Sequence, residues 1–370
     1  MKFGVLFLAH SFTMGGIQTA TINLINSLNK NKFNVFVIYG KDGDLLKKLN
    51  KDNIFIKKDK IPKYNRRILP KIIYSFKISN FIKKNNIQLV FTMAVSVYPI
   101  GAIASFLSKT KHIRVQPNFI LQTEPTNVAL MRYTPFVKWT DLFITFGQKQ
   151  KVELEQAGVN HQKIKVFFSG PDTYDYTKAG TNIREELSIP DDFKIVITAH
   201  RLTKGKGLDI FVDMIPYILE VYPKVIFLIM GIGELREELE QKALNHGITG
   251  NLIFTGFRDD VKEIAYQSTF GVYPDASSAG MSWVIEAGIP LITQKNSSMD
   301  QYLIDGKTGI LVEECSPKAY ADACLSLLRD EEKLKEMYEF IKENPLHKVL
   351  GWDESMDINN IFLSVLNQGK

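Results

Sequence analysis

Lys194-Ile195-Val196-Ile197-Thr198-Ala199-His200-Arg201-Leu202-Thr203-Lys204-Gly205-Lys206-Gly207-Leu208 is the stretch on which the fold turns. It reads as a buried strand, a tight cationic loop and the start of a helix. An apolar run without alternation is what a parallel strand covered on both faces looks like. Arg201 leaves the strand end, Lys206 stands five residues on at the helix start, and Gly205 and Gly207 keep the loop tight. Such a loop can set two cations on one diphosphate, Arg by its planar fork and Lys as a point charge. It lacks the glycine spacing and terminal Ser/Thr of a Walker loop.

The same unit recurs in both directions along the chain. Strands are expected at 3–9, 35–39, 89–93, 112–116, 142–146 and 164–168 in the first half, and at 194–199, 225–230, 252–255, 269–273, 290–293 and 309–312 in the second. Amphipathic helical stretches lie between them. This rhythm predicts an α/β fold with two parallel, Rossmann-like sheets, helices covering both faces. The pattern restarts near Lys194 after the polar, Gly- and Pro-containing stretch Ser169–Asp192. The expected division is a first domain at 1–170, a linker at 171–192, a second domain at 193–350 and a tail at 351–370. Ligands of such sheets bind beyond the carboxyl ends of the strands, so the expectation is two domains facing across a cleft.

Composition agrees with an ordinary globular chain. The 370 residues are 45% hydrophobic and 23% charged, which excludes wholesale disorder, and the length favours two domains over one core. Cys315 and Cys324 are the only cysteines, and no Cys/His pattern has metal-ligand spacing, so a disulfide framework and a structural zinc are both excluded. Asp42-Gly43-Asp44 mimics a metal-binding acid pair, but after a strand and before a helix it is turn and cap chemistry. No secretory signal is read in Met1–Ala9, and the uncharged stretch Asn85–Ser108 divides at Pro99 and Gly101 into a strand and a helix rather than one membrane span.

The net charge of +6 hides an asymmetry. Residues 1–170 carry 26 Lys+Arg against 8 Asp+Glu, and residues 171–370 carry 20 against 32, balances of +18 and −12. Thirteen basic residues lie between Lys47 and Lys84 beside Ile68, Leu69, Ile72, Ile73, Tyr74 and Phe76. A basic amphipathic stretch of this kind suits either a solvated helix or an anionic membrane surface.

Further glycine-bearing turns follow strands. Gly15-Gly16 opens a helix after the first strand, where free N–H groups and the helix dipole favour a phosphate. Gly231-Ile232-Gly233 with Arg236, and Gly256-Phe257-Arg258, follow the second and third strands of the second half. Ser278-Ala279-Gly280-Met281-Ser282 then leads into a helix whose one carboxylate is Glu286, either a burial cost or a ligand contact. His10 and His200 each end a strand at the expected cleft.

Taken in order, Gly15-Gly16, Arg201 with Lys206-Gly207, Gly231-x-Gly233 with Arg236, Gly256-Phe257, Gly280 with Glu286, Asp305-Gly306-Lys307-Thr308-Gly309 and Trp352 resemble a known family. The chain is similar to the retaining glycosyltransferases of the GT-B fold, glycosyltransferase family four, of the bacterial surface-polysaccharide type. The resemblance runs from Phe3 to about Trp352. It implies that Arg201 and Lys206 hold the donor diphosphate, that Glu286 holds the nucleotide ribose, and that Gly15, Gly16, Gly256, Phe257 and the turn Ser278, Ala279, Gly280, Met281, Ser282 complete the donor site. His10 and Asn118 become acceptor-side candidates, and the final helix, Ile358–Leu366, would cross back onto the first domain. Two departures stand out. Ser278 occupies the place of the first of two glutamates usual in the family, and Asn118 stands near the place of a family histidine.

The expected function is therefore retaining transfer of a hexosyl or N-acetylhexosaminyl group from a nucleoside diphosphate sugar to a glycan or lipid-linked acceptor, without metal or other cofactor. Nucleic acid is not an expected partner. The expected place is the cytoplasm, either free as a basic soluble enzyme or peripheral on the inner face of the membrane. Two other readings remain: a binding subunit that has lost its chemistry at Ser278, and a nucleotide-sugar epimerase or hydrolase.

Overall fold

The computed structural model describes residues 2–13, 16–62, 68–116, 136–145, 148–167, 180–274, 279–295, 303–345 and 357–367. The chain forms two compact units, Met1–Phe168 together with Asp353–Lys370, and Ser169–Trp352.

The first unit holds a seven-stranded sheet of β1 (Phe3–Ser11), β2 (Phe33–Lys41), β3 (Ile54–Lys58), β4 (Ile87–Thr92), β5 (Lys111–Gln116), β6 (Leu142–Thr145) and β7 (Ile164–Val166). Its order is β3-β2-β1-β4-β5-β6-β7, with every pair parallel. The alternation of β1 divides its side chains between two cores. Val5 and Phe7 join one with Ile22 and Ile25 of α1 (Gly16–Ser27), and Leu6 and Leu8 join the other with Ile78 and Ile82 of α2 (Leu69–Lys84) and Ile100 of α3 (Tyr98–Ser108). The C-terminal helix Ile358–Asn367 belongs to the first core, where the Phe362 ring meets Phe7, Phe33 and Phe91 at centroid distances of 6.2, 5.9 and 5.5 Å. Truncating a ring so enclosed costs about 3–5 kcal/mol, so the tail is an integral part of this unit.

The stretch Asn85–Ser108 is β4 followed by α3, and no described helix is long and apolar enough to cross a membrane. Strand β3 is absent from the sequence-based expectations. As an edge strand it needs only a half-buried face, and Ile-Phe-Ile-Lys-Lys has too short an apolar run to stand out.

The second unit holds a six-stranded sheet of β8 (Lys194–Ala199), β9 (Val225–Met230), β10 (Leu252–Gly256), β11 (Phe270–Tyr273), β12 (Leu291–Gln294) and β13 (Gly309–Val312), in the order β10-β9-β8-β11-β12-β13 and again all parallel. Val196, Phe227 and Ile229 face α6 (Leu208–Leu219) and α10 (Pro317–Leu328); Ile195, Ile197 and Leu228 face α8 (Val261–Tyr266) and α9 (Ala279–Glu286). Helices α4 (Gln148–Gln156) of the first unit, and α5 (Ile183–Glu186), α7 (Arg236–Asn245) and α11 (Glu331–Glu343) of the second, complete the layers. The expected linker 171–192 is corrected at its end: Ile183 and Ile189 are buried in the core of the second unit, and Gln267 Oε1 accepts the Ile183 N–H at 3.0 Å. Polar composition hid two anchors whose partners are far away in sequence.

Both sheets are thus Rossmann-like, and in each the strand order reverses beside the first strand, between β1 and β4 and between β8 and β11. Ligands of such sheets bind at that reversal, beyond the carboxyl ends of the strands.

Candidate active site

In the second unit the reversal lies at Ala199 and Tyr273. The Ala199 N–H donates to the Tyr273 hydroxyl at 3.0 Å, and the rings of His200 and Tyr273 lie 4.8 Å apart. Burial raises the Tyr273 phenol above its ordinary pKa, so it stays neutral. His200 is buried at the strand end, whereas Arg201, the next residue, is exposed and Lys206 is half-buried.

The cationic loop is held by backbone. His200 N–H donates to Met230 at 2.9 Å, Leu202 N–H to Ile232 at 3.0 Å, and Leu235 N–H to the Leu202 carbonyl at 3.0 Å. Gly231 N–H in turn donates to Gly256 at 2.7 Å, so the turns after β8, β9 and β10 are tied in series. The approach requires glycine. A Cβ on Gly231, whose φ is +145°, would lie 1.7 Å from the His200 carbonyl oxygen, and one on Gly233 would lie 2.2 Å from that of Leu202. Arg201 and Lys206 are therefore presented on a rigid base at the N-terminus of α6, where unsatisfied N–H groups add positive potential.

Of the remaining donor-side residues, Gly256 ends β10 and the half-exposed Phe257 follows it, at the same end of the sheet. Ala279, Gly280 and Met281 begin α9, which starts after β11. The Met281 side chain is a correction: it is fully buried in the hydrophobic core, so only its backbone can face a ligand. Ser282 lies in the same helix, and Ser278, Gly15 and Asn118 lie outside the described residues. Glu286 is the last residue of α9 and is mostly buried, and its carboxylate pairs with the Lys262 ammonium of α8. Sequence reasoning passed over Lys262, because nothing in its own segment points to a carboxylate 24 residues later. Arg258, beside Phe257, is committed to the fold. Its guanidinium grips both oxygens of Glu186 at 2.6 and 3.0 Å and both of Asp260 at 2.8 and 2.7 Å, contacts that raise its pKa further.

In the first unit the reversal brings together the ends of β1 and β4. Gly16 begins α1 there, and His10 is half-buried with its Nδ1 lacking a hydrogen-bond partner among the described residues. Burial and the Lys41 ammonium hold this imidazole below its ordinary pKa, which suits a neutral proton acceptor. On β5 the alternating residues His112, Arg114 and Gln116 are all buried. Arg114 Nη1 donates to the Met93 carbonyl at 2.8 Å and Nη2 to Gln116 Oε1 at 3.1 Å, with its guanidinium 4.9 Å from the Tyr98 ring centroid. A positive charge is thereby fixed at the carboxyl edge of the sheet. Thr140 donates to Phe136 at 3.1 Å, so its hydroxyl oxygen accepts from His112 Nδ1 at 3.1 Å, leaving Nε2 to accept from Thr92 at 3.0 Å. Fully satisfied as the neutral ring, and beside Arg114, His112 has its pKa pushed down to about 3 by burial.

Among the described residues no three His, Cys, Asp or Glu side chains gather as metal ligands do. Asp42 is engaged by the Tyr39 hydroxyl at 3.0 Å and by the Lys58 ammonium.

Residues 180–344 match the family model of the glycosyl transferases of group 1. The group 1 match covers most of the second unit, including the Arg201–Lys206 loop and Glu286. An uncharacterised glycosyltransferase of Methanocaldococcus jannaschii is 25% identical over 246 residues, 62% of this chain and 60% of that protein. A phosphatidyl-myo-inositol mannosyltransferase of Mycobacterium leprae is 31% identical over 139 residues, 36% of each chain. The chain thus aligns with less than two thirds of these relatives' lengths. Among solved structures, the Anabaena protein HepE in complex with UDP and glucose superposes with a TM-score of 0.79 at 18% identity, covering 98% of this chain and 99% of that one. The fold of the chain is that of the GT-B glycosyltransferases, with its two Rossmann-like domains.

Proposed function

We propose that the chain is a retaining glycosyltransferase of family four, which moves a sugar from a nucleoside diphosphate sugar to a glycan or lipid-linked acceptor. The observation that carries this reading is the rigidly seated Arg201–Lys206 loop at the strand-order reversal, inside the segment that matches the group 1 family. Breaking the glycosidic bond to the diphosphate puts negative charge on the departing phosphate oxygen. Arg201, Lys206 and the N–H groups opening α6 supply fixed positive potential there, which stabilises charge as it develops and needs no metal in this reading. Glu286, held by Lys262, is the ribose contact, and Gly256-Phe257 borders the nucleobase. The departing phosphate oxygen itself takes the acceptor proton on the same face of the sugar, with neutral His10 on the acceptor side. That route asks for no strong carboxylate base, so Ser278 in place of a glutamate is compatible with turnover.

That HepE is solved with UDP and glucose supports a UDP-hexose as the first donor to try. The +18 balance of residues 1–170 supports an acceptor at, or linked to, an anionic cytoplasmic membrane face. Calorimetry with UDP-, GDP- and ADP-sugars tests the donor side. Arg201→Ala and Lys206→Ala are each expected to abolish transfer and to weaken donor binding about 10- to 150-fold, since charge-assisted contacts contribute roughly 1.5–3 kcal/mol each. Donor affinity unchanged in both variants would refute the assignment. No nucleotide binding by the parent chain would instead favour the binding-subunit reading that Ser278 motivates, and donor consumption without acceptor would favour the hydrolase or epimerase.

A further inference from the structure

The loop after β1 repeats the plan of the cationic loop of the second unit. Ala9-His10-Ser11-Phe12-Thr13-Met14-Gly15 and Ala199-His200-Arg201-Leu202-Thr203-Lys204-Gly205 share Ala, His, Thr and Gly at the same places. Packing extends the likeness. Ala9 stands opposite Tyr39 of β2 as Ala199 stands opposite Met230 of β9, so each histidine meets a glycine, Gly40 or Gly231. Two residues on, Phe12 and Leu202 are both fully buried, and their N–H groups donate across to Lys41 at 3.1 Å and to Ile232 at 3.0 Å. A Cβ on Gly40 would lie 2.7 Å from the His10 carbonyl oxygen, and one on Gly43 would lie 2.1 Å from that of Phe12, much as one on Gly233 would lie 2.2 Å from that of Leu202. At Gly43 the requirement is contact alone, because its φ of −177° is extended backbone open to any residue. Nor can Gly43 retreat. Asp42 before it is engaged by the Tyr39 hydroxyl and the Lys58 ammonium. Its own carbonyl accepts the Leu46 N–H at 3.0 Å, opening the 3-10 helix Asp44–Lys48, whose Leu45 is buried in the core that holds Phe12. The Asp42-Gly43-Asp44 turn is thereby a fixed wall against the β1 loop.

We propose that Gly43 and Gly40 are positioning residues, which hold His10, Ser11 and the start of α1 on a rigid base at the strand-order reversal of the first unit, as Gly231 and Gly233 hold Arg201 at that of the second. The two loops differ in what they present. Ser11 stands in the place of Arg201, and five residues on Gly16 stands in the place of Lys206. Instead of two cations the first-unit loop carries hydroxyls, those of Ser11 and Thr13 lying 3.1 Å apart, together with His10. Such groups suit the orientation of a neutral acceptor hydroxyl, whereas a diphosphate calls for cations. Orientation of this kind depends on a loop that does not yield, and a displacement of about 1 Å is worth on the order of 100-fold in rate. This inference rests on the reading that His10 stands on the acceptor side, and it is independent of how the donor is bound.

The test uses the full chain and compares Gly43→Ala, Gly40→Ala and Gly158→Ala, the last adding a Cβ that meets nothing within 4 Å. The milder contact at Gly40 keeps the comparison open should Gly43→Ala fail to fold. Hydrogen exchange read by mass spectrometry is expected to quicken at least about fivefold in the peptide holding Phe12 in Gly43→Ala, less in Gly40→Ala and not in Gly158→Ala. The peptide holding Leu202 is expected to stay unchanged in all three. Carbethoxylation of His10 by diethyl pyrocarbonate, located by peptide mapping, is expected to follow the same order. Turnover is read with UDP-glucose as donor and octyl β-D-glucoside or water as acceptor. There kcat is expected to fall about 100-fold in Gly43→Ala, while donor KM and UDP affinity by calorimetry stay within about twofold of the parent's. If Gly43→Ala matches Gly158→Ala in exchange, His10 reactivity and turnover, the proposal is overturned. A loss of UDP affinity in step with kcat would overturn it too, as the mark of a general disruption. Where the parent turns over with neither acceptor, exchange and His10 reactivity decide. A parent chain that binds no UDP would sink the donor reading and leave both of those comparisons in force.

Discussion

Replacing Gly231 by alanine should disable the cationic loop from a position that carries no charge. The added Cβ would lie 1.7 Å from the His200 carbonyl oxygen, against an ordinary contact above about 3 Å, so strand ends β8 and β9 must part by more than an ångström. Parting them breaks Leu202 N–H to Ile232 and Leu235 N–H to Leu202, both 3.0 Å, and strains a φ of +145° that side chains rarely adopt. Buried hydrogen-bond groups left unmade cost about 1–3 kcal/mol each and the backbone strain about 1–3 more, which for two bonds sums to roughly 3–9 kcal/mol of local destabilisation. A displacement of about 1 Å of the groups that position a reacting phosphate is worth on the order of 100-fold in rate. Gly205→Ala is the control, since φ there is also positive, +77°, but the new Cβ meets nothing within 4 Å; about 1 kcal/mol is expected and donor affinity close to the parent's. Urea unfolding followed by tryptophan emission reads the stability, and calorimetry with UDP reads the site. If Gly231→Ala and Gly205→Ala prove alike in both measurements, the claim that close backbone approach builds the cationic loop is wrong.

Three further outcomes follow from the same geometry. His112 is neutral when folded, with a pKa of about 3 against 6.5 free in solution, so the unfolded chain binds the extra proton and stability falls as pH drops from 6.5 towards 3. Each pH unit in that window should cost about 1.4 kcal/mol, and His112→Asn should flatten that part of a urea-midpoint profile; an identical profile would contradict the buried neutral ring. Arg258→Ala leaves Glu186 and Asp260 facing each other without their shared cation, and because both are partly solvated the expected loss is about 2 kcal/mol of unfolding free energy with nucleotide affinity retained. A tenfold loss of nucleotide affinity in that variant would put Arg258 in the site instead. Lys262→Met should raise KM for the donor several-fold with little change in kcat, because it releases the carboxylate of Glu286 from its fixed position; a change confined to kcat would place the pair at the reacting centre.

Much of this architecture was legible because parallel strands buried on both faces are locally uniform. Lys194–Ala199, Val225–Met230 and Gly309–Val312 have the same bounds in the structure as in the sequence-based reading. What failed was context. Ile54–Lys58 is a strand only because β2 offers it an edge, and Ile183 and Ile189 are core residues only because α5 folds onto β8's unit. On β5 the polar residues His112, Arg114 and Gln116 alternate with Ile113 and Val115, a pattern that ordinarily marks one solvated face; here Tyr98 of α3 packs over His112 and Arg114 and the polar face is buried.

The candidate site divides along the same line. Sequence by itself determined the cationic loop, the glycines around it and the rhythm that places them after strands, because each of these depends on neighbours within about ten residues. Only tertiary structure decided that Gly231 and Gly233 support the Arg201 loop from below, that Met281 is core, that Arg258 is locked by Glu186 and Asp260, and that Glu286 answers Lys262. It also decided which apolar residues of the basic stretch turn inward, Tyr74 and Ile78, and which outward, Leu69, Ile73 and Phe76. The physical reason is common to all of these. Periodicity records that a helix or strand has a face, whereas the partner of each face and of each charge is fixed by packing between segments distant in the chain.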